Sequence, residues 1–245
     1  MARKGGSTMV KRQAAPAFYA VPRKKLAFVT TTKAGPHSKA MSYDPITLCR
    51  DILKVVRSKK EAEYAVKLGK VLIDGVPRLS IHFPIGLMDV VELSEGGSVY
   101  RMLPQKGRLV APVTISADEK ERKLCQIRSK MTVKKGKVQL GTHDGRTFLV
   151  DDGSKYALGD ALLVELPSGK ILDVVSMKKG ALGLVVRGTK LGYVGEIKEV
   201  SKGNFSVEPN VTIMIGDAEV VLPKNFVIPV GIKAPLVSIP RRIER

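Results

Sequence analysis

Beyond residue 107 the chain is cut into apolar, β-branched runs of four to seven residues, with Gly, Pro and Asp turns between them. Leu109–Ile115 is a first candidate strand. Asp144-Gly145 and Asp152-Gly153 bracket Thr147–Val150, and Leu158-Gly159-Asp160 leads into Ala161–Leu166. Pro167-Ser168-Gly169 then turns the chain into Lys170–Val175, and Val211–Ile215, Glu219–Leu222 and Asn225–Val230 follow. Runs this short cannot each support a helix, and their spacing argues for small β barrels or sandwiches. The segment Ala117–Leu124, with Ser116 as cap and Glu119 at the third position, reads as a short helix. Its continuation Lys123–Arg128 alternates and also reads as a strand.

The helical signals lie earlier, between Asp44 and Leu93. Asp44 is a favoured N-cap, and Pro45 fits the first helical position, where its missing N–H costs nothing. Cys49, Ile52, Leu53, Val55 and Val56 then share one side of a helix, and Arg50, Lys54 and Arg57 form a basic stripe beside it. Ser58-Lys59-Lys60-Glu61 reads as a capping box opening a second helix, with Ala62, Ala65 and Val66 on its apolar face and Gly69 at its end. Lys70–Val76 is β-rich around an Asp74-Gly75 turn, and Asp89–Leu93 is another strand. Val99–Leu103 follows, and the Gly96–Gly107 segment marks a boundary.

Charge narrows the class of partner. Lys and Arg number 42 against 23 Asp and Glu, a formal net charge of +19. Residues 1–43 contain no acid, so this arm cannot neutralise itself and is expected to be largely disordered alone. Phe18, Tyr19 and Phe28 interleave with its cations and suit either stacking against RNA or docking on the protein's own body. A strongly negative partner is implied, and nucleic acid fits better than a membrane. No run of about 18 apolar residues is present, and no apolar signal core follows the basic N-terminus. A cytoplasmic location is expected.

The usual catalytic signatures are missing. No phosphate loop, nucleophile elbow or H-E-x-x-H string occurs. Cys49 and Cys125 are far apart and His37, His82 and His143 are scattered, so no metal site is expected. Thr142-His143-Asp144 has no allied nucleophile and reads as turn structure or an RNA contact.

Three resemblances sharpen this picture. The Asp44–Leu93 element order resembles the α-L RNA-binding module of ribosomal proteins, pseudouridine synthases and some aminoacyl-tRNA synthetases. A synthase would need an Arg-Leu-Asp-type motif, and Arg78-Leu79-Ser80 lacks the carboxylate. Met177-Lys178-Lys179-Gly180, Leu184–Gly188 and Leu191–Ile197 resemble the KOW motif of ribosomal proteins and NusG-type factors. A NusG-type factor would also need an NGN-like domain, and none is visible. Along its length the chain resembles the e-type ribosomal protein four family of the archaeal and eukaryotic small subunit. The resemblance rests on Lys11–Pro16, Gly35-Pro36-His37, Pro84–Val90, Lys123-Leu124-Cys125 with Arg128, Thr142–Thr147, the KOW-like hairpin and Phe226-Val227-Ile228, in that order. The short C-terminus departs from eukaryotic members and points to an archaeal source.

The resemblance implies a β-rich α+β fold in four parts. These are a basic arm (1–43), an α-L (S4-like) RNA-binding module (44–106), a central β domain (107–173) and a KOW/SH3-like β-barrel domain (174–245). It implies a non-catalytic constituent of the small ribosomal subunit, without cofactor, metal, small-molecule substrate, membrane contact or self-association. Its partners would be small-subunit rRNA and neighbouring ribosomal proteins. The expected rRNA contacts in the arm are Lys11, Arg12, Arg23, Lys24, Lys25, His37 and Lys39. Around the α-L module they are Arg50, Lys54, Arg57, Lys59, Lys60, Lys70, Arg78, Lys106 and Arg108. Further along they are Lys123, Arg128, Arg146, Lys178, Lys179, Arg187, Lys190, Arg241 and Arg242.

Overall fold

The structure, a computed structural model, describes residues 9–24, 26–204, 208–216 and 218–240, and for Lys135 the backbone alone. It opens with a two-stranded ribbon, β1 (Met9–Lys11) against β2 (Phe28–Thr30), with Val10 opposite Val29. Between these strands the chain is packed rather than loose. Phe18 and Tyr19 are buried against Tyr43, with ring centroids 4.9–5.1 Å apart. The Tyr19 hydroxyl donates to the Ser42 carbonyl and the Tyr43 hydroxyl to the Phe18 carbonyl. Over its described residues, therefore, the arm expected to be disordered docks on the body. The reason is apolar: each large buried side chain contributes roughly 1.5–3 kcal/mol, enough to order a segment that charge alone would leave solvated.

Helix α1 (Pro45–Thr47) begins as expected, with the Asp44 carboxylate accepting from the Thr47 N–H at 2.9 Å. It continues as a π-helical turn over Leu48–Ile52 and then stops, with Lys54 at φ 57°. The expected helix through Val56 is thus cut short, and Arg50, Lys54 and Arg57 do not form one helical stripe. Helix α2 (Lys59–Lys67) carries the capping box: Ser58 Oγ accepts from the Glu61 N–H, and Glu61 reaches back to the Ser58 N–H. Ala62 and Val66 are fully buried beneath it.

Strands β3 (Val71–Ile73), β4 (Val76–Pro77), β5 (Val90–Leu93), β6 (Val99–Gln105) and β7 (Arg108–Thr114) form one antiparallel sheet in the order β4-β3-β5-β6-β7. The expected boundary at 106/107 falls in the β6–β7 hairpin of this sheet, so the sheet extends to Thr114. A 3₁₀ turn, Ala117–Glu119, is all that forms of the helix expected over Ala117–Leu124. The strand reading wins from Arg122 on, and Lys123–Ile127 are all buried because the strand is covered on both faces, Leu124 in one cluster and Cys125 and Ile127 in another.

A second five-stranded sheet holds β8 (Arg122–Thr132), β9 (Val138–Thr142), β10 (Thr147–Val150), β11 (Ala161–Glu165) and β12 (Ile171–Val175), in the order β10-β9-β8-β11-β12. Strand β12 runs past the expected boundary at 173/174. The third sheet comprises β13 (Leu182–Val185), β14 (Val194–Val200), β15 (Asn210–Ile215), β16 (Ala218–Pro223) and β17 (Val227–Gly231), ordered β16-β15-β14-β13-β17. The fold is β-rich with few helical residues.

The three sheets share a core. Leu103 from the first with Leu87 and Met88 from the turn before β5, Leu124, Ala161 and Leu163 from the second, and Leu184, Ile228 and Val230 from the third pack in one cluster. Burial of this shared cluster holds the three sheets together.

Candidate nucleic-acid interface

The basic residues divide into an inner and an outer set, and elements distant in sequence decide which is which. At the centre of the inner set is Lys123, on β8 on the same face as Cys125 and Ile127, and 1% exposed. Its Nζ lies 2.7 Å from Asp74 Oδ2, 2.6 Å from Asp89 Oδ1 and 3.1 Å from Asp144 Oδ2. Asp74 follows β3, Asp89 precedes β5 and Asp144 sits in the β9–β10 turn. Arg146 adds contacts to Asp74 at 2.9 Å and Asp144 at 3.2 Å. His37 Nε2 meets Asp89 Oδ1 at 3.0 Å, and the Gly86 N–H donates to Asp89 Oδ2.

Burial alone would raise the Asp89 and Asp144 carboxyls. Lys123, with His37 at Asp89 and His143 at Asp144, outweighs it, and both are held well below the usual carboxylate range. Burial alone would likewise lower Lys123, but the carboxylates of Asp89, Asp74 and Asp144 raise it well above its ordinary value. Lys123, Asp89 and Asp144 are therefore charged, and each ion's burial is compensated by the others. His143 is held down to about 4, chiefly by burial. Its Nδ1 accepts from the Gln126 N–H and its Nε2 lies 3.2 Å from the Leu87 carbonyl.

Close packing accompanies this cluster. A Cβ on Gly86 would stand 2.2 Å from His37 Cγ, and one on Gly35 would stand 2.6 Å from Pro84 Cγ. The Gly35-Pro36-His37, Pro84–Val90, Lys123 and Thr142–Arg146 elements thus meet at one internal joint.

This placement engages several of the expected contacts within the protein itself. Lys123 is buried in the joint on its carboxylates, His37 is buried on Asp89, and Arg146 is half-buried on its two aspartates. Arg12 is 2% exposed and donates to the Pro22 carbonyl at 2.9 Å. Arg23 donates to the carbonyls of Arg12, Gln13, Ala15 and Pro16, so its fork staples the arm. Arg50 pairs with Asp51 at 2.6 Å, Lys70 pairs with Glu95, and Arg78 lies over the Phe83 ring at 4.8 Å. Arg101, which the sequence reading passed over, is fully buried on Glu119 at 3.0 Å. Strand alternation carried a signal for it, since Arg101 shares a face with Val99 and Leu103.

The outer set remains in water. Lys11, Lys24, Lys39, Lys106 and Arg108 are exposed. So are Lys54, Arg57, Lys59 and Lys60 around the start of α2, and Lys178, Lys179, Arg128 and Arg187 near the C-terminal sheet. None of their side-chain cations has a carboxylate oxygen within 4.0 Å among the described residues. Lys190 is half-buried, 5.6 Å from the Tyr193 ring centroid. Lys25, Arg241 and Arg242 lie outside the described residues. Folding buries Asp74, Asp89 and Asp144 on Lys123 and leaves side chains such as Lys54, Lys59, Lys60, Lys178 and Lys179 exposed without ion pairs among the described residues, which produces a field suited to a polyanion.

The chain is similar to known proteins over most of its length. The family model described as "Ribosomal family S4e" matches residues 97–171, and that of the "RS4NT (NUC023) domain" matches residues 4–40. The small ribosomal subunit protein eS4 of Ignicoccus hospitalis is 34% identical, covering 96% of both chains. That of Methanothermobacter thermautotrophicus is 35% identical, covering 94% of this chain and 95% of its own. The crystal structure of the 30S ribosomal protein S4e from Thermoplasma acidophilum superposes with a TM-score of 0.69 at 27% identity, covering 79% of this chain and 96% of that one.

Proposed function

This chain belongs to the ribosomal S4e family, and from that premise we propose how it engages small-subunit rRNA. It is a structural, non-enzymatic constituent of the small ribosomal subunit in the cytoplasm, associated with the rRNA and with other ribosomal proteins. The observation that carries the RNA reading is the sorting of charge. Asp74, Asp89 and Asp144 are buried on Lys123, while Lys54, Arg57, Lys59, Lys60, Lys178 and Lys179 are exposed without ion pairs among the described residues.

We read Asp44–Leu93 as an α-L module whose α2 start presents Arg57, Lys59 and Lys60 to phosphates. Support comes from the helix, turn, helix and strand order and from the capping box at Ser58. We read the β13–β14 hairpin, with Lys178, Lys179, Arg187 and Lys190 around it, as a KOW element. Gly192 at its loop has φ 82°, and a Cβ there would stand 2.8 Å from the Pro104 carbonyl oxygen, so the loop is seated on the β6–β7 hairpin. Folded RNA shows its backbone and 2′-hydroxyls in a wide minor groove, and rigid cationic surfaces recognise that shape with few base contacts.

The test is sedimentation of the tagged chain through a sucrose gradient in its native host. Stoichiometric presence in the small subunit is expected, and a substoichiometric level would refute the assignment. Filter binding to the rRNA should weaken with salt by about 0.7–0.9 in log–log slope per phosphate neutralised.

A further inference from the structure

A cleft of about 370 Å³ opens where the N-terminal segment, the second sheet and the third sheet meet. His37, Met41, Leu87, Arg128, His143 and Arg187 line it, and no Asp or Glu does. Its volume falls within the roughly 300–1,000 Å³ range of sites that hold small ligands.

Two guanidiniums face each other's field there. Arg128, on β8, donates through Nη1 to Asn225 Oδ1 at 3.0 Å and through Nη2 to the Asn225 carbonyl at 3.3 Å. One edge of its fork is thereby fixed. Arg187, just after β13, has Nη2 2.6 Å from Met41 Sδ and its guanidinium carbon 6.0 Å from the Phe226 ring centroid. Burial, and after it the charge of Arg187, lower Arg128 from its ordinary value. Like charges brought together without a counter-charge cost free energy, and a bound anion relieves that cost. His143 adds no positive charge near neutral pH, and both of its nitrogens are engaged by main chain. Leu87 and Val186, also in the lining, are almost fully buried and supply an apolar wall.

We propose that this cleft receives one unpaired nucleotide of the bound RNA, its phosphate between Arg128 and Arg187 and its base against Leu87, Val186 and the His143 imidazole. The proposal rests on the RNA-binding reading above and refines it. A base within a duplex is paired and stacked and cannot enter a concave site, whereas a bulged or loop nucleotide can.

The experiment uses the full chain and a small-subunit rRNA fragment, with 2′-hydroxyl acylation read at single-nucleotide resolution. Arg128→Ala with Arg187→Ala is compared with Lys155→Ala and Lys202→Ala, which remove equal charge from exposed positions away from the cleft lining. The expected result is one unpaired nucleotide protected by the wild type and the lysine variant but reactive with the arginine variant. Affinity of the arginine variant should fall about tenfold or more below the lysine control, while the rest of the footprint remains. Equal affinities and footprints for the two variants would overturn the cleft while leaving the RNA-binding reading intact. An affinity loss without a single-nucleotide change would also overturn it, assigning the arginines to ordinary phosphate neutralisation. If the wild type bound no rRNA, the functional reading itself would fail first.

Discussion

Lys123 on the second sheet and Asp89, just before β5 of the first, stand 2.6 Å apart, both buried, and form an ionic link between the two sheets. Asp74 and Asp144 complete the ammonium's surroundings, so one side chain contacts carboxylates from three separate turns. Such a cluster is stable only when complete. Its value lies in fixing one docking geometry, because any displacement strands a buried charge.

Lys123→Ala should accordingly destabilise the chain by about 3–5 kcal/mol, since buried carboxylates lose their principal partner. Urea unfolding followed by circular dichroism measures this. A loss below about 1 kcal/mol would show that water reaches the cluster.

Acid should act in two stages. The folded value of His143, about 4, lies below its unfolded 6.5, so the unfolded chain takes up this proton first. That contribution is present above about 6.5 and is lost as pH falls toward 4. Asp44 works in the opposite sense: burial raises it to about 6, so its protonation favours the folded state as pH falls from about 6 toward 4. Asp89 and Asp144, depressed in the fold, contribute stability that is lost only as pH falls below their unfolded value of 3.8. His143→Gln should remove the first loss, so that the variant gains stability relative to wild type between pH 6.5 and 4.5. Parallel curves in thermal melts across that range would refute the assignment.

Gly86→Ala should cost about 1–3 kcal/mol, because the new methyl meets the buried His37 ring, which cannot move without leaving Asp89. Val76→Ala is a useful comparison, since Val76 is only half-buried on the short strand β4. Similar urea midpoints for the two variants would mean that the joint yields easily.

Arg57→Glu with Lys60→Glu should weaken rRNA binding by at least about tenfold and flatten its salt dependence, since both side chains are exposed. The melting temperature should stay within a few degrees of wild type. Unchanged incorporation into small subunits would remove the α2 face from the interface.

Much of this architecture was legible locally. The Ser58–Glu61 capping box, the Asp44 cap, the Asp74-Gly75 turn and the Thr147–Val150 strand all depend on residues within a few positions of each other. Local geometry is set by local sterics and hydrogen bonds, so the order of residues suffices to specify it. The cationic excess was equally plain, because charge is a sum over the chain. Which cations face the solvent is a different kind of quantity. Lys123 meets Asp74 across 49 positions and His37 meets Asp89 across 52, and Arg12 turns inward because main-chain carbonyls converge on it. An ammonium enters a protein interior only where folding assembles opposite charges around it. The sequence by itself therefore determined the β-rich elements and the attraction to a polyanion. Only the tertiary structure decided which basic residues were left free, because desolvation and pairing are properties of a place in space, not of a position in the chain.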